Sequence, residues 1–161
     1  MRIVIISVGK TKAPYAREGI ETFVSRLKRY VPVDVFETKD FKRGNGPLKK
    51  ILAAEAEAIS RFIPQGAYTV GLDENGRHWT SPELARWFKE KRDRATRNIA
   101  FIIGGPDGFD DALRARFQRL WSLGAGTLPH DLAKLVLCEQ LYRAETINAG
   151  HPYHRGRPES G

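Results

Sequence analysis

The sequence predicts one α/β domain in which helices flank a largely parallel β-sheet. Short runs rich in apolar and β-branched residues alternate with longer stretches in which apolar residues recur every three or four positions. This alternation is typical of parallel sheets, whose strands are joined by helices. The 161 residues fit a single domain over residues 1–161, in which we identify no internal repeat, no long linker and no second domain.

Five strands are predicted, over residues 2–8, 32–36, 67–72, 98–103 and 121–123. The first is a continuous apolar run, as expected for a strand that is buried on both faces of a sheet. The third is expected to end in a turn at residues 73–76, because Asp, Asn and Gly are common turn residues. A basic, glycine-containing loop is expected at residues 42–46, after the second strand.

Helices are expected between these strands. Inward-facing positions are Ile20, Phe23, Val24 and Leu27 in the first helix, and Leu48, Ile51, Leu52, Ile59 and Phe62 in the second, over residues 48–62. Ser81 is predicted as the N-cap of the third helix, with Pro82 at its first helical position and Leu84, Trp87 and Phe88 on its buried stripe. The fourth helix is predicted over residues 110–119.

The last helix, predicted over residues 131–147, is apolar around nearly its whole circumference. Its apolar positions include Leu132, Leu135, Val136, Leu137 and Leu141. A helix of this kind needs burial on more than one side. In so small a protein a second copy of the chain is a natural way to supply that burial, so a homodimer is expected.

The composition favours a polyanionic partner. Lys and Arg total 27 against 19 Asp and Glu, which gives a formal net charge of +8 and a pI near 9.8. Such a surplus suits nucleic acid, because each neutralised phosphate releases counterions. A merely soluble basic protein is the alternative, since net charge bears on association rather than on fold.

A cytoplasmic location without membrane contact is expected. No apolar run approaches the roughly 20 residues that a membrane-spanning helix needs. The first residues are interpreted as a buried strand rather than a signal peptide. Cys138 is the one cysteine, so no intrachain disulfide forms, which suits a reducing compartment.

Two glycine-bearing loops are candidates for a ligand site. One begins with Gly104 and Gly105 after the fourth strand; Leu72 ends the third strand. The second loop consists of Gly124, Ala125, Gly126, Thr127, Leu128 and Pro129. Ligands of open α/β sheets bind outside the carboxyl ends of the strands, so these segments could together enclose an adenosine-sized ligand. Neither a dinucleotide fingerprint nor a P-loop is present, which disfavours a nicotinamide cofactor or ATP. Structural turns are the alternative.

The C-terminal tail, residues 151–161, combines the side chains used in binding single-stranded RNA. His151, Tyr153, His154 and Arg155 bring aromatic, imidazole and guanidinium groups close together. The alternative is a solvated tail. The two histidines alone make an incomplete metal site, so no metal is expected. Arg143 either pairs with Glu139, four residues earlier, or faces this tail if the chain turns back.

The motifs taken together resemble a known family. They are Val8-Gly9-Lys10, Lys42-Arg43-Gly44, Leu72-Asp73, the run at residues 103–108, Trp121-Ser122-Leu123, and the runs at residues 127–130, 139–144 and 151–155. This set resembles the RlmH family, the large-subunit (23S) ribosomal RNA pseudouridine N3-methyltransferases of the SPOUT class. The resemblance covers essentially the whole chain, and the ordered combination of the last four motifs is specific. Small departures are Asp107, where many members carry Glu, the glycines at 124 and 126, and the extension at residues 156–161.

The resemblance implies a fold and an activity beyond what the pattern predicts. It implies a SPOUT sheet flanked by helices, with a C-terminal trefoil knot whose loops bind S-adenosyl-L-methionine. The cofactor contacts would fall on Leu72, Gly104, Gly105 and residues 124–129. The implied enzyme is a cytoplasmic homodimer that methylates N3 of a pseudouridine on the assembled ribosome, and the tail of one subunit reaches the cofactor of the other.

The resemblance also implies roles for the tail. Arg143 and Arg155 would contact phosphate or carbonyl groups, His151 would contact RNA, and Tyr153 would stack on the base. His154 is the candidate for hydrogen bonding or for removal of the N3 proton, because a histidine titrates near neutral pH. Solvent or an RNA group could take that proton instead. The rival hypotheses are a non-enzymatic ribosome-binding factor and an α/β enzyme that uses another nucleotide.

Overall fold

Five strands and five helices alternate along residues 1–41, 44 and 46–155, which a computed structural model describes. The strands are β1 (Arg2–Val8), β2 (Val33–Thr38), β3 (Tyr68–Arg77), β4 (Asn98–Ile103) and β5 (Arg119–Trp121). The helices are α1 (Pro14–Leu27), α2 (Leu48–Ser60), α3 (Ser81–Asp93), α4 (Asp111–Arg116) and α5 (His130–Asn148). The predicted basic loop at residues 42–46 lies largely outside the described residues, as does the end of the tail, residues 156–161.

The described strands form one parallel sheet in the order β2-β1-β4-β3-β5. Each strand pairs in parallel with its neighbours, so their carboxyl ends lie at the same edge of the sheet. This confirms the predicted parallel sheet flanked by helices. No helix in the described part of the chain is long and apolar enough to cross a membrane.

Helices cover both faces of the sheet, which explains the apolar runs of its central strands. Because successive side chains of a strand point to opposite faces, Ile3 and Ile5 of β1 pack with α1, α3 and α5. Val4 and Ile6 pack on the other face with residues of α2 and α4. Each such buried side chain contributes about 1.5–3 kcal/mol relative to an exposed one.

Helix α5 lies between α1 and α3, where two buried charges fix its position. Lys134, only 1% exposed, donates through Nζ to Oε1 of Glu37 at 2.9 Å and to Oγ1 of Thr11 at 3.2 Å. Both carboxylate oxygens of Glu145 accept a hydrogen bond from Nη2 of Arg92 in α3, at 2.6 and 2.7 Å. Burial raises the pKa of Glu37, but the contacts with Lys134 and the hydrogen bonds from Thr11 together outweigh it and hold that pKa below its usual value. Pairing lets these charges lie inside the protein, where an unpaired charge would be very costly.

One predicted helix cap and one predicted inward-facing position are wrong. Thr80, not Ser81, is the N-cap of α3, because its Oγ1 accepts the N–H of Glu83 while the Glu83 carboxylate accepts the N–H of Thr80. In α2 the predicted inward position Leu48 is 47% exposed, since it lies at the solvent side of the first turn. The buried positions of α2 include Ile51 and Ile59, as predicted.

The predicted fourth helix is too long, and the fifth strand starts earlier than predicted. Helix α4 ends at Arg116, because the backbone of Phe117 is extended and its ring packs against Gly71 of β3. The chain is then free to join the sheet at Arg119, which pairs with Val70. Strand β2 similarly runs two residues further than predicted, to Thr38, which pairs with Val8.

The third strand does not end where the sequence predicts. It bulges outward at residues 73–76 and then returns to the sheet, so that Leu72 and Arg77 both pair with Trp121. The predicted turn lies inside this bulge, where the Asp73 carboxylate accepts the N–H of Asn75 at 2.8 Å. The strand resumes because β5 pairs with it. Since β5 is distant in sequence, a local pattern cannot indicate this pairing.

Gly76 lies where the returning segment of β3 contacts the backbone of β5. A Cβ atom at this position would lie 2.6 Å from the carbonyl carbon of Leu120 and 2.6 Å from the nitrogen of Trp121. Main-chain atoms within a sheet cannot give way as a flexible side chain can. Glycine is therefore required here by close packing.

Gly76→Ala is expected to lower the free energy of unfolding by about 1–3 kcal/mol, because the two main chains must separate. Urea denaturation monitored by circular dichroism measures this change. Gly126→Ala is the matched control, since a Cβ there meets nothing within 4 Å. We expect the control to change the unfolding free energy by less than about 0.5 kcal/mol. Equal stability of the two variants would contradict the close contact between the main chains of β3 and β5 at Gly76.

Candidate functional site

A cleft of about 540 Å³ opens at the carboxyl edge of the sheet. Its walls come from the ends of β3, β4 and β5, the loops that follow them, and the first turn of α5. The predicted ligand residues that line it are Leu72, Gly104, Gly105, Gly124, Gly126, Thr127, Leu128 and Pro129. Ala125 is exposed and does not belong to the lining. The structure thus brings together eight residues from three separate segments.

The loop after β4 depends on glycine for its shape. The N–H of Gly108 donates to the carbonyl of Gly105 at 3.1 Å, which closes a tight turn. Gly108 has a φ of 77°, a backbone conformation that favours glycine. A Cβ on Gly104 would lie 3.0 Å from the carbonyl oxygen of Gly108 and 3.1 Å from Cε1 of Phe109. This part of the cleft wall therefore presents main-chain atoms, which a ligand can approach closely.

The loop after β5 leads directly into α5. Oγ of Ser122 donates to the carbonyl of Gly124 at 2.8 Å and holds the start of the loop. Helix α5 begins at His130 and has Pro129 as its N-cap, without a side-chain cap. The first N–H groups of a helix have no intrahelical partner and carry a partial positive charge. His130 and Ala133 line the cleft, so this end of the helix faces the site.

Asp73 is a cleft residue that the sequence indicated as part of a turn and of a family motif, but not as a site residue. Its Oδ2 accepts a hydrogen bond from Nε of Arg114 at 2.8 Å. This hydrogen bond lowers the pKa of Asp73, so the carboxylate is ionised at neutral pH. The cleft thus has a fixed negative group on the bulge of β3 and apolar walls that include Ile103 and Trp121. The charge of Asp73 could be inferred from sequence, but its position could not.

The predicted tail residues fold back onto the second half of α5. The ring of Tyr153 packs against Tyr142 with centroids 4.7 Å apart, and Cζ of Arg143 lies 4.7 Å from the Tyr153 centroid. Oη of Tyr153 donates to Oε1 of Glu139 at 3.0 Å, and Nε of Arg143 donates to the same oxygen at 2.9 Å. Burial and the Glu139 carboxylate raise the pKa of Tyr153, so its hydroxyl stays protonated.

Arg143 makes both of the contacts that the sequence left open. It pairs with Glu139 on α5, and its Nη1 lies 3.2 Å from Nδ1 of His154 in the tail. Arginine only donates hydrogen bonds, so Nδ1 of His154 is the acceptor. The proton of the neutral imidazole consequently sits on Nε2. His154 therefore offers the N–H of Nε2 as a donor, while its unprotonated Nδ1 already accepts a hydrogen bond from Arg143.

His151 and Arg155, within the described part of the tail, are exposed. His151 accepts the N–H of Tyr153 through Nδ1 at 3.2 Å, which shapes the bend of the tail. Arg155 is the last described residue and is also exposed. Both can therefore meet a partner from solvent.

The cleft and the tail cluster lie apart within one chain. Ala133 lines the cleft, and Arg143 follows it ten residues later on the same helix. Because an α-helix rises 1.5 Å per residue, these positions are about 15 Å apart. The structure therefore assembles the predicted binding residues at one place and the predicted tail residues at another.

Metal and thiol chemistry find no support among the described residues. Residues 1–41, 44 and 46–155 contain no group of three His, Cys, Asp or Glu side chains that could hold a metal ion. Cys138 is fully buried in α5, and burial raises the pKa of its thiol to about 12. A thiol of this kind is an unreactive apolar group.

The amino-acid sequence matches a known class of enzyme. Residues 1–154 match the family described as "Predicted SPOUT methyltransferase". The chain is therefore a member of the SPOUT methyltransferase family, as the sequence motifs predicted.

Within this class, the chain is similar to proteins named "Ribosomal RNA large subunit methyltransferase H". The one from Deinococcus radiodurans is 45% identical over 156 residues, which is 97% of this chain and 100% of that protein. The one from Solidesulfovibrio magneticus is 43% identical over 150 residues, 93% of this chain and 96% of that protein. The one from Geobacter sp. strain M21 is 39% identical over 154 residues, 96% and 99% of the two chains.

Glu139→Ala is expected to release the tail from α5, because Tyr153 and Arg143 both donate to this carboxylate. Hydrogen–deuterium exchange measures the effect, and amides of residues 151–155 should exchange faster than in the wild type. The matched control is Glu57→Ala, which removes a similar Glu–Arg pair four residues apart on α2. Unchanged exchange in the Glu139 variant would show that the ring contacts alone hold the tail.

Proposed function

We propose that this protein transfers a methyl group from S-adenosylmethionine to N3 of a pseudouridine in large-subunit ribosomal RNA, as a cytoplasmic homodimer acting on the assembled ribosome. One observation carries the proposal: eight predicted ligand residues from three segments line one cleft in a chain of the SPOUT methyltransferase family. The names of its relatives support the choice of RNA, and the net charge of +8 agrees with a polyanionic substrate.

The cleft suits the cofactor in size and in chemistry. Its volume of about 540 Å³ is ordinary for a small-molecule site. Apolar walls, among them Leu72 and Ile103, can hold the adenine ring, and Gly104 and Gly105 allow it to approach the main chain. The ionised Asp73 can accept hydrogen bonds from a cationic or hydroxyl group, and the first turn of α5 favours a carboxylate. The cofactor would supply an electrophilic methyl group on a cationic sulfur. After methyl transfer this sulfur is part of a neutral thioether.

The family also supports a trefoil knot at the C-terminal part of the fold. Threaded chains are rare, so a knot would not follow from general packing rules. Its support here is family membership.

A homodimer explains why the tail cluster lies away from the cleft of its own chain. About 15 Å of α5 separates Ala133 from Arg143, so a second copy is a natural source of the tail that serves this cleft. Leu132 and Val136 are half-buried on α5 between these two positions. Burial of their exposed parts would give such a dimer an apolar contact.

In the proposed reaction the protein mainly positions the base. Tyr153 would stack on it, and Arg143 with Arg155 would contact phosphate or carbonyl oxygens. Such positioning can supply on the order of 7–11 kcal/mol of barrier reduction. Of the two roles considered for His154, hydrogen bonding is favoured, because its Nδ1 accepts from Arg143 and its Nε2 carries the proton. The N3 proton would then pass to solvent or to an RNA group.

Transfer of labelled methyl from S-adenosylmethionine to ribosomes that lack the modification tests the proposal. We expect label on a pseudouridine of intact ribosomes and much less on free ribosomal RNA. Gly105→Leu should abolish both transfer and calorimetric binding of S-adenosylhomocysteine, because the side chain would fill the cleft. A folded wild type that binds ribosomes but neither binds the cofactor nor transfers label would instead be a non-enzymatic ribosome-binding factor.

The role of His154 is tested by comparing two substitutions. His154→Ala is expected to lower kcat roughly 10- to 100-fold, the worth of a hydrogen bond to a charged or polarised group, with cofactor affinity retained. His154→Gln keeps an N–H donor near Nε2 and should recover most of the lost rate. A Gln variant as slow as the Ala variant would favour proton removal by the imidazole.

A further inference from the structure

Two cations rest on aromatic rings near the amino end of β5, and a third lies next to them. Lys91 and Arg94 lie at the C-terminal end of α3, and Arg119 begins β5. Nζ of Lys91 lies 3.6 Å from the ring centroid of Tyr68, and Cζ of Arg119 lies 4.4 Å from that of Trp79. Contacts of this kind orient the cations without neutralising them. We refer to Lys91, Arg94 and Arg119 as the cation patch.

The cation patch forms no ion pair within the described part of the chain. None of the three side chains makes a hydrogen bond or an ion pair with another described residue. Burial lowers the pKa of Lys91, and repulsion by Arg94 and Arg119 lowers it further, while Glu90 offsets this only in part. Arg92, on the same helix turn, is by contrast paired with the buried Glu145. Holding three cations together without an anion costs free energy, which a bound anion would recover.

The patch lies at the amino ends of β3 and β5, one short strand away from the cleft at the carboxyl edge of the sheet. Arg119 is two residues before Trp121 on β5, which corresponds to about 7 Å along a strand. Trp121 lines the cleft, and its ring contacts Trp79 with centroids 5.2 Å apart. Trp79 thus contacts both a patch cation and a cleft residue, and an extended ligand that follows the edge strand β5 can reach both sites.

A nucleic acid backbone fits this arrangement better than a small anion. An array of neighbouring cations matches a series of phosphates, and guanidinium groups bind phosphate oxygens in pairs. Half-exposed rings next to cations are typical of surfaces that bind single-stranded nucleic acid. We propose that the cation patch binds phosphates of the ribosomal RNA next to the target nucleotide. This inference rests on the proposed function and adds an RNA-binding surface outside the cleft and the tail.

A double variant, Arg94→Ala with Arg119→Gln, tests the patch. Glutamine keeps a flat polar group over Trp79, which protects the fold. The control is Lys28→Ala with Arg29→Gln, which removes the same charge from exposed positions after α1, at the β2 side of the sheet. Binding to unmodified ribosomes is measured at several salt concentrations, together with S-adenosylhomocysteine affinity, kcat and KM.

We expect the patch variant to bind ribosomes roughly 10-fold or more weakly at physiological salt. The plot of the logarithm of the ribosome-binding constant against the logarithm of salt concentration should become less steep by about 2, one for each lost phosphate contact. KM for ribosomes should rise while S-adenosylhomocysteine affinity stays within about twofold of the wild type, which shows an intact fold and cleft.

Two results would overturn the inference. One is a patch variant whose salt slope equals that of the control. The other is weaker binding with an unchanged slope, since this would place an uncharged or protein surface against the patch. Failure of the proposed function looks different: the wild type itself would transfer no methyl group, whatever the two slopes.

Discussion

The position of α5 between α1 and α3 is the constraint on which the other features depend. Its first turn forms a wall of the cleft, and its second half carries Glu139 and Arg143, which hold the tail. Apolar packing of Leu137, Cys138 and Leu141 supplies most of the stabilisation. The two separate ion pairs that contain Lys134 and Glu145 add little net stability, because desolvation offsets the attraction within each pair. They instead fix the register of α5, since any shift would leave a buried charge unpaired.

The cleft uses main-chain atoms where other sites use side chains. Three strand ends reach the same edge because the sheet is parallel, and glycines keep the loops there thin. Asp73 is held by Arg114 and so stays ionised at a fixed position. A site of this kind is rigid without a large set of polar side chains, which agrees with a reaction that needs alignment more than acid or base catalysis.

Charge is distributed so that some cations have partners and others do not. Arg61, Arg92 and Arg143 each pair with a carboxylate. Lys91 and Arg119 instead rest on aromatic rings, and the exposed Arg155 lies in the tail. The net charge therefore understates the local excess of positive charge near the cleft and in the tail. Long-range attraction and local binding of RNA would both use this excess.

Much of this protein follows from local pattern. The bounds of β1 and β4, the buried faces of α1 and α3, and the two glycine loops were predicted, because periodicity and glycine placement act over a few residues. The motifs around Gly105 and Tyr153 also indicated the family, which the match over residues 1–154 shows.

Only the tertiary structure decided the features that join distant segments. Strand β3 resumes at Arg77 because Trp121, 44 residues later in the numbering, pairs with it. The separation of the tail cluster from the cleft and the meeting of Lys91 with Arg119 likewise depend on helix packing and strand order. The cap of α3 at Thr80 is by contrast a local feature, since it depends on a reciprocal pair of hydrogen bonds with Glu83, three residues later. A sequence determines which residues are stabilised by burial or by a partner. Which surfaces meet is decided only when all the elements pack together.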